Sequence, residues 1–143
     1  MSVILLSSPV DASQLGCWES VVGNFRSVIG YTVWGDFFLQ DPNSKQIAVL
    51  YVFNPELVPL TFDSIEKFVS DFLSAPEVQK HLIRPDRFKA VTSRLGTVEE
   101  GEVFIPVPFP FLGGTCAPDT YMKGNVWTFF DLAGQLQKVS ATI

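Results

Sequence analysis

The side chain best suited to acid–base chemistry at neutral pH occurs once in this sequence, as His81. It lies in "EVQKHLIRP", near the end of a predicted short helix, where histidine commonly interacts with the helix C-terminus. No nucleophile motif such as G-x-S-x-G accompanies it. The acidic residues Glu99, Glu100 and Glu102 resemble a carboxylate pair for proton transfer, but their position in a polar turn favours solvated charges. We therefore predict no catalytic residue.

Three other patterns contain residue types found in binding sites but lack the spacing of a known binding motif. The pair Gly113-Gly114 lacks the lysine-serine of a phosphate loop and the G-x-G-x-x-G spacing, so it predicts a turn. Residues 41–45, "DPNSK", offer oxygen ligands without the spacing of a calcium loop. The cysteines, Cys17 and Cys116, show neither a disulfide framework nor zinc-ligand spacing. These observations predict no metal and no cofactor.

Aromatic residues form the largest group with binding potential. The chain has thirteen phenylalanines and three tryptophans, Trp18, Trp34 and Trp127. Tryptophans can form a ligand cage or the centre of a protein interface, although most large aromatics are core residues. We expect most of these side chains to be buried and a few to remain exposed for binding.

Length and charge limit the possible functions. With 143 residues, of which 47% are apolar, the chain is long enough for one sizeable core, and we predict a single domain over 1–143. The net charge of −5 disfavours direct binding to nucleic acid, and the nearest approach to a basic run, "IRPDRFK", is interrupted by Asp86. No segment has the apolar length of a membrane span. With both thiols reduced, a cytoplasmic location is predicted.

The first half of the sequence indicates a helix followed by strands. Apolar residues between 16 and 29 recur at helical spacing, although Gly23 weakens that helix. The segments 31–40 and 46–53 are rich in aromatic and β-branched residues and flank the turn at 41–45, which predicts a β-hairpin. The two prolines in 54–60 indicate a turn into a short edge strand.

Two helices follow. In "DSIEKFVSDFLSA" (63–75) Asp63 is a candidate N-cap and the apolar residues repeat at i, i+3, i+4, i+7 and i+8, which predicts burial of Phe68 and Phe72. A second helix from about Pro85 to Leu95 would end at Gly96.

Prolines at alternate positions characterise "FIPVPFPFLGG" (104–114). In an extended strand, Pro106, Pro108 and Pro110 would all lie on one edge and remove its amide donors. We therefore predict an edge strand or polyproline-like ribbon over 103–111 that pairs only through its other edge. Residues 125–132 indicate another strand, and 134–139 either a strand or a short helix. Together the elements predict an α+β fold, with a largely antiparallel sheet and helices packed on one face.

Four segments resemble a known bacterial family. They are Trp18 in an early helix, "WGDFFL" (34–39) followed by "IAVLYV", "LGTVEEGEVFIPVPFPFLGG" (95–114), and "VWTFFDLAGQLQKV" (126–139). The pattern is similar to the C-terminal domain of type VI secretion immunity proteins, often accompanied by a GAD-like region, and more loosely to SMI1/KNR4-like immunity proteins. Family members typically carry a "GD-x-F-L" hairpin, "LG-x-L-x-x-GE-x-Y", "P-x-LGG" and a "GQI" near the C-terminus.

The resemblance implies a set of motif residues whose role is structural or partner-binding. This sequence departs from the pattern at Phe104, where tyrosine is usual, and in the additional Pro106 and Pro108. The motif residues are Trp18, Gly35, Asp36, Phe38, Leu39, Gly101, Glu102, Pro110, Leu112, Gly113, Gly114, Gly134 and Gln135.

The resemblance implies a non-enzymatic protein-binding module, an immunity protein that neutralises a cognate bacterial toxin. Its partner is then a protein, with no direct contact to nucleic acid or membrane, and the net charge favours a basic partner surface. Two alternatives stay open: a small-molecule-binding or enzymatic domain with a pocket near Gly113-Gly114, and an interaction domain unrelated to toxins.

Overall fold

A five-stranded antiparallel sheet forms the centre of the molecule. The computed structural model describes residues 2–139 of the chain. Neighbouring strands in the sheet are also neighbours in sequence, in the order β1-β2-β3-β4-β5, and β1 pairs irregularly between Leu5 and Val10. The strands are β1 (Val3–Asp11), β2 (Ser27–Thr32), β3 (Phe37–Gln40), β4 (Ile47–Tyr51) and β5 (Glu56–Pro59).

The predicted hairpin is β3–β4, and β5 is the predicted short edge strand. At the hairpin turn, Asp41 Oδ1 accepts a hydrogen bond from the Asn43 amide at 2.8 Å, a side-chain turn typical of aspartate. The predicted segment 31–40 is not continuous, because a turn at 33–36 separates β2 from β3. Thr32 closes this turn by donating its amide to the Asp36 carbonyl at 2.8 Å.

Helical segments cover both faces of the sheet. Phe37, Leu39 and Leu50 belong to a core that includes Trp18 and Phe130. Phe38 and Val49, on the alternate face, belong to a second core with Phe68 and Leu82. The α+β class and the antiparallel sheet are confirmed. The predicted helix near residues 63–74 packs on one face, and further helical segments cover the other.

The predicted helix between residues 16 and 29 is wrong in its second half. A 3₁₀-helical segment, Ala12–Val21, turns sharply at Gly16, and β2 already begins at Ser27. Between them the Phe25 amide donates to the Val22 carbonyl at 3.0 Å in a tight turn. The apolar spacing is helical only by coincidence, because Ile29 belongs to a strand that alternates between the two cores.

The helix predicted over 63–74 exists in a modified form. Helix α1 (Ile65–Lys67) is capped by Ser64, not Asp63, and continues as a π-helical turn, Phe68–Phe72. The π turn adds a residue to the helical repeat and rotates the apolar stripe. Phe68 is therefore fully buried, whereas Phe72 is only partly buried, in contrast to the prediction.

Two further helical segments precede the proline-rich region. Helix α2 (Pro76–Val78) also continues as a π-helical turn, Gln79–Ile83. Helix α3 (Pro85–Leu95) begins and ends as predicted, with Gly96 at its C-terminus. Within residues 2–139, no helix is long and apolar enough to cross a bilayer.

The strand predicted at 125–132 is wrong, because these residues form helix α4 (Val126–Leu136). Asn125 caps the helix by accepting a hydrogen bond from the Thr128 amide at 2.9 Å. The buried residues Val126, Phe129, Phe130 and Ala133 follow the helical period along one face. Aromatic and β-branched content suggested a strand, but the cap and the period decide for a helix.

The proline-rich segment forms a shorter strand than predicted. Strand β6 (Glu102–Pro106) pairs with β7 (Tyr121–Asn125) in a separate antiparallel sheet. The prediction of an extended strand to residue 111 is wrong: the Val107–Pro108 peptide is cis, and Pro110–Leu112 is a 3₁₀ turn. In the described part of the chain, no strand pairs along the proline edge, and Phe104 donates its amide there to the Val33 carbonyl at 2.9 Å.

Candidate interaction site

Asp36 joins the turn between β2 and β3 to the end of β4. Its Oδ1 accepts a hydrogen bond from the Val52 amide at 3.0 Å, and its Oδ2 lies 3.4 Å from the Thr32 hydroxyl oxygen. Gly35 has a φ of +98°, and a Cβ at this position would collide with the ring of Phe129 on α4. Glycine therefore meets both the backbone and the space requirements of this turn.

The environment of Asp36 opposes its ionisation. Burial raises the pKa of this carboxyl above its ordinary value, because the charged form loses hydration. The hydrogen bond from Val52, the attraction to Arg84 and the hydrogen bond with Thr32 act in the opposite direction and lower the pKa. Desolvation is larger than these three effects together, so the pKa of Asp36 is raised.

A cavity of about 180 Å³ lies beside Asp36. Its walls come from the turn at 33–36, the end of β4, the π-helical turn before α3, and the start of β7. The lining side chains include both carboxylate and guanidinium groups together with aromatic rings. They are Trp34, Asp36, Tyr51, Val52, Phe53, Asn54, His81, Leu82, Arg84, Arg87, Cys116 and Tyr121.

Two arginines supply the positive charge of this cavity. The Arg87 guanidinium lies 5.7 Å from the centroid of the Trp34 ring and donates to the Tyr121 hydroxyl at 3.2 Å. Arg84 Nε donates to the His81 carbonyl at 3.0 Å. Burial raises the pKa of Tyr121 to about 12, so its hydroxyl stays protonated at neutral pH.

Catalysis by a thiol needs a cysteine activated by an adjacent base. Cys116, His81 and Asp36 all line the cavity. Among the described residues, however, no hydrogen bond joins them: His81 Nε2 lies 3.2 Å from Glu77, and the Asp36 carboxylate interacts with Val52 and Thr32. His81 is exposed near the end of a helical turn, as the sequence predicted.

The remaining acidic candidates have structural contacts. Glu100 accepts hydrogen bonds from the amide and hydroxyl of Ser7 on β1, at 2.9 and 3.1 Å. Glu102 Oε1 accepts from the Glu99 amide at 3.0 Å and closes the turn before β6. Within residues 2–139, no group of three histidine, cysteine, aspartate or glutamate side chains is arranged to hold a metal ion.

Several motif residues are brought together around helix α4. Trp18 is buried, stacks on Phe130 with ring centroids 4.3 Å apart, and donates its indole N–H to the Phe130 carbonyl at 2.7 Å. Gly134 leaves room for this indole, because a Cβ there would overlap Trp18 Nε1. Gln135, one residue further, donates to Asp131 Oδ2 at 2.7 Å. The contacts of Trp18 and Gly134 tie the 3₁₀ segment to α4, whereas the Gln135 hydrogen bond lies within α4.

Other motif residues lie elsewhere in the fold. Phe38 and Leu39 are buried on opposite faces of β3. The Gly101 amide donates to the Tyr31 hydroxyl at 2.8 Å, and the Gly101 carbonyl accepts from the Val126 amide at 2.9 Å. Glu102, beside it, also accepts from Tyr31 through its backbone carbonyl, at 2.9 Å. Gly101 thus connects β2, β6 and the start of α4.

The last motif segment is a surface turn. Pro110 begins a 3₁₀ turn that ends at Gly113, where φ is +94°, and the Gly114 amide donates to the Phe109 carbonyl at 3.0 Å. Leu112 projects from this turn with 59% of its surface exposed. The cavity beside Asp36 is lined by other residues than Gly113 and Gly114.

The arginines of the cavity were not predicted from the sequence. The segment "IRPDRFK" contains both, but Asp86 between them breaks the basic run. Arg84 precedes α3 in the left-handed conformation, with a φ of +55°, and Arg87 lies in the first turn of that helix. The sequence signal for this pair was the spacing of three residues between Arg84 and Arg87, because two residues three apart at the start of a helix lie on the same side of it.

The comparison with solved structures identifies the fold. The crystal structure of Atu4351 from Agrobacterium tumefaciens matches with a TM-score of 0.62 and 11% sequence identity. The match covers 94% of this chain and 66% of that chain, so the protein spans just under two thirds of the related structure. No curated protein matches the sequence significantly.

The family model described as "T6SS immunity protein Tdi1, C-terminal" matches residues 63–137, slightly more than half of the chain. The protein belongs to this family, which confirms the resemblance to type VI secretion immunity proteins. The matched region includes the motif residues from Gly101 to Gln135. Trp18, Gly35, Asp36, Phe38 and Leu39 lie before it. The structural or partner-binding role of all the motif residues, inside the matched region and before it, stays a prediction.

Proposed function

We propose that this protein is a non-enzymatic immunity protein that binds and neutralises a cognate toxin of a type VI secretion system. The observation that carries the proposal is family membership over residues 63–137. In the cavity beside Asp36, the described residues show His81 Nε2 3.2 Å from Glu77 and Asp36 accepting from the Val52 amide, with no hydrogen bond from either side chain to Cys116. A cytoplasmic location, with the free cysteines Cys17 and Cys116 reduced, is part of this proposal.

Co-expression with each toxin candidate encoded beside this gene tests the proposal. Wild-type protein should restore growth of toxin-expressing cells and should co-purify with the toxin. Binding without rescue would leave an interaction protein that does not neutralise, and rescue without binding would point to an enzymatic antidote. Failure of every adjacent toxin candidate to bind would overturn the proposal.

Alanine variants separate binding from catalysis. His81→Ala, and alanine at Glu99, Glu100 and Glu102, should retain the fold by circular dichroism. Any loss of protection should follow the loss of affinity for the toxin, with charge changes acting mainly on the association rate.

A second candidate function, a small-molecule-binding or enzymatic domain, is favoured by one observation: Cys116, His81 and Asp36 line one cavity. Turnover of a small substrate that is abolished by His81→Ala, in a protein that binds no toxin, would support it. The gene neighbourhood discriminates as well, since a toxin or effector gene favours immunity and a metabolic operon favours the enzyme.

A further inference from the structure

The positive charge of this acidic protein is concentrated in one segment. Residues 80–94 contain five of the ten lysines and arginines and one acidic residue, a local charge of +4. The rest of the chain has five basic and fourteen acidic residues, a charge of −9. A nearby ligand responds to the local field more than to the net charge, so this segment attracts anionic groups. Its basic residues are Lys80, Arg84, Arg87, Lys89 and Arg94.

Three depressions adjoin one another at His81, which lines all of them. The first is the cavity beside Asp36. The second, of about 250 Å³, has mainly apolar walls that include Phe72 and Val78. The third, of about 370 Å³, runs along Lys80, Arg84 and Arg87. We call the three together the His81 groove. Its apolar half is the second depression, with Phe72 and Val78, and its basic half is the third, with Lys80, Arg84 and Arg87.

In the described part of the chain, no salt bridge joins Lys80, Arg84 or Arg87 to an acidic side chain, although Asp86 also lines the third depression and Arg84 attracts the carboxyl group of Asp36. The ion pairs in this part of the chain join Arg26 to Asp11 and Glu19, and His81 to Glu77. Arg84 and Arg87 donate to a carbonyl and a hydroxyl, which leaves most of their N–H donors available. A guanidinium group binds a carboxylate through two parallel hydrogen bonds, so either arginine is suited to an incoming acidic side chain.

We propose that the His81 groove receives a segment of the protein partner that presents an aspartate or glutamate to Arg84 and Arg87, beside an apolar side chain that packs on Phe72 and Val78. This inference rests on the proposed function, in which the partner is the toxin. The apolar half distinguishes a protein segment from a phosphate ligand, which would leave that half uncovered. The charge of −9 on the rest of the chain opposes the approach of a polyanion such as nucleic acid.

A charge reversal in the basic half tests the inference. Lys80 and Arg84 are both exposed, so Lys80→Glu with Arg84→Glu should leave the fold intact by circular dichroism. The variant should bind the toxin at least about 10-fold more weakly than wild type, with a smaller dependence on salt. A lysine in place of the contacting acidic residue of the toxin should restore binding to this variant.

The matched control is Lys45→Glu with Lys138→Glu, which changes the net charge equally at exposed positions outside the groove. It should bind like wild type. If wild type binds the toxin and the two double variants have the same affinity for it, the groove is not the binding site, while the proposed function stands. If wild type binds no toxin encoded beside its gene, the groove as a binding site and the proposed function are both overturned. Saturable calorimetric binding of inorganic phosphate that competes with the toxin would overturn the assignment to a carboxylate.

Discussion

At the residue scale, the carboxyl group of Asp36 combines a structural role with a position at the edge of a cavity. It accepts the amide hydrogen of Val52, a buried residue, and it lies within the attraction of Arg84. Two substitutions at Asp36 can therefore separate the loss of the hydrogen-bond acceptor from the loss of the negative charge. Asparagine retains an oxygen for Val52 and an amide for Thr32, whereas alanine retains neither.

We expect Asp36→Ala to lower the free energy of unfolding by about 1–3 kcal/mol, because the Val52 amide loses its acceptor. Asp36→Asn should cost less and should change the pH dependence. Since burial raises the pKa of Asp36 in the folded state, the folded protein binds this proton more tightly than the unfolded chain. Wild-type stability should therefore fall, relative to Asp36→Asn, as the pH rises from about 4 towards 7.

Urea denaturation across this pH range measures both effects. Asp63→Asn, which removes one charge at an exposed position, controls for the change in net charge. Parallel pH profiles for wild type and Asp36→Asn would show that burial does not raise the pKa of this carboxyl group.

Gly134 makes a second residue-scale prediction. In an exposed helix, alanine in place of glycine would stabilise by about 1 kcal/mol. Here the added Cβ would overlap Trp18 Nε1 and would lie 2.7 Å from Cys17 Sγ, and the stack on Phe130 keeps the indole from moving aside. We expect Gly134→Ala to destabilise by about 1–3 kcal/mol in chemical denaturation. A gain in stability would mean that the 3₁₀ segment is not packed this closely on α4.

At the element scale, the π-helical turn after α1 determines which side chains are buried and which form the groove. Phe68 is fully buried and makes an edge-to-face contact with Phe38, with ring centroids 4.9 Å apart. Phe72 stacks on Phe68 at 5.3 Å but remains partly accessible in the apolar half of the His81 groove. One short helical segment therefore supplies both core and surface.

Truncation of each phenylalanine tests this division. Phe68→Ala should lower the free energy of unfolding by about 3–5 kcal/mol, because it leaves a cavity in the core. Phe72→Ala should cost clearly less, since water can enter the vacated site, and should weaken toxin binding if the groove is the interface. Val69→Ala, on an exposed neighbour, should change stability by no more than about 0.5 kcal/mol. An equal loss in the free energy of unfolding for Phe68→Ala and Phe72→Ala would contradict the partial exposure of Phe72 in the His81 groove.

At the scale of the whole molecule, three groups of buried residues surround the two sheets. The first and third contain Trp18 and Trp34, and Ile4 packs against both. Phe104 on β6 also donates its amide to Val33, next to the large sheet. These shared contacts indicate that the sheets depend on each other for stability.

We therefore expect residues 1–143 to unfold as a single domain. Tryptophan fluorescence and far-ultraviolet circular dichroism should show coincident transitions, and the calorimetric enthalpy should equal the van't Hoff enthalpy. Two separate transitions would show that the small sheet with α3 is an independent unit.

The sequence by itself determined the elements whose signals are local. The hairpin β3–β4 follows from apolar strands around the Asp41 turn, and α3 from proline at its start and glycine after its end. It also carried the family pattern at 95–114. Backbone preferences, caps and turns depend on residues a few positions apart, and one sequence displays them directly.

The tertiary structure decided what depends on distant neighbours. The place of α4 (Val126–Leu136) in the fold depends on a distant partner, because Phe130 stacks on Trp18 of the 3₁₀ segment. The π turn that leaves Phe72 partly exposed lies within an ordinary helical pattern. The cavity joins Asp36, Arg84 and Tyr121, which are separated by more than 30 residues along the chain. Burial and electric fields depend on distances in space, and only the folded chain defines those distances.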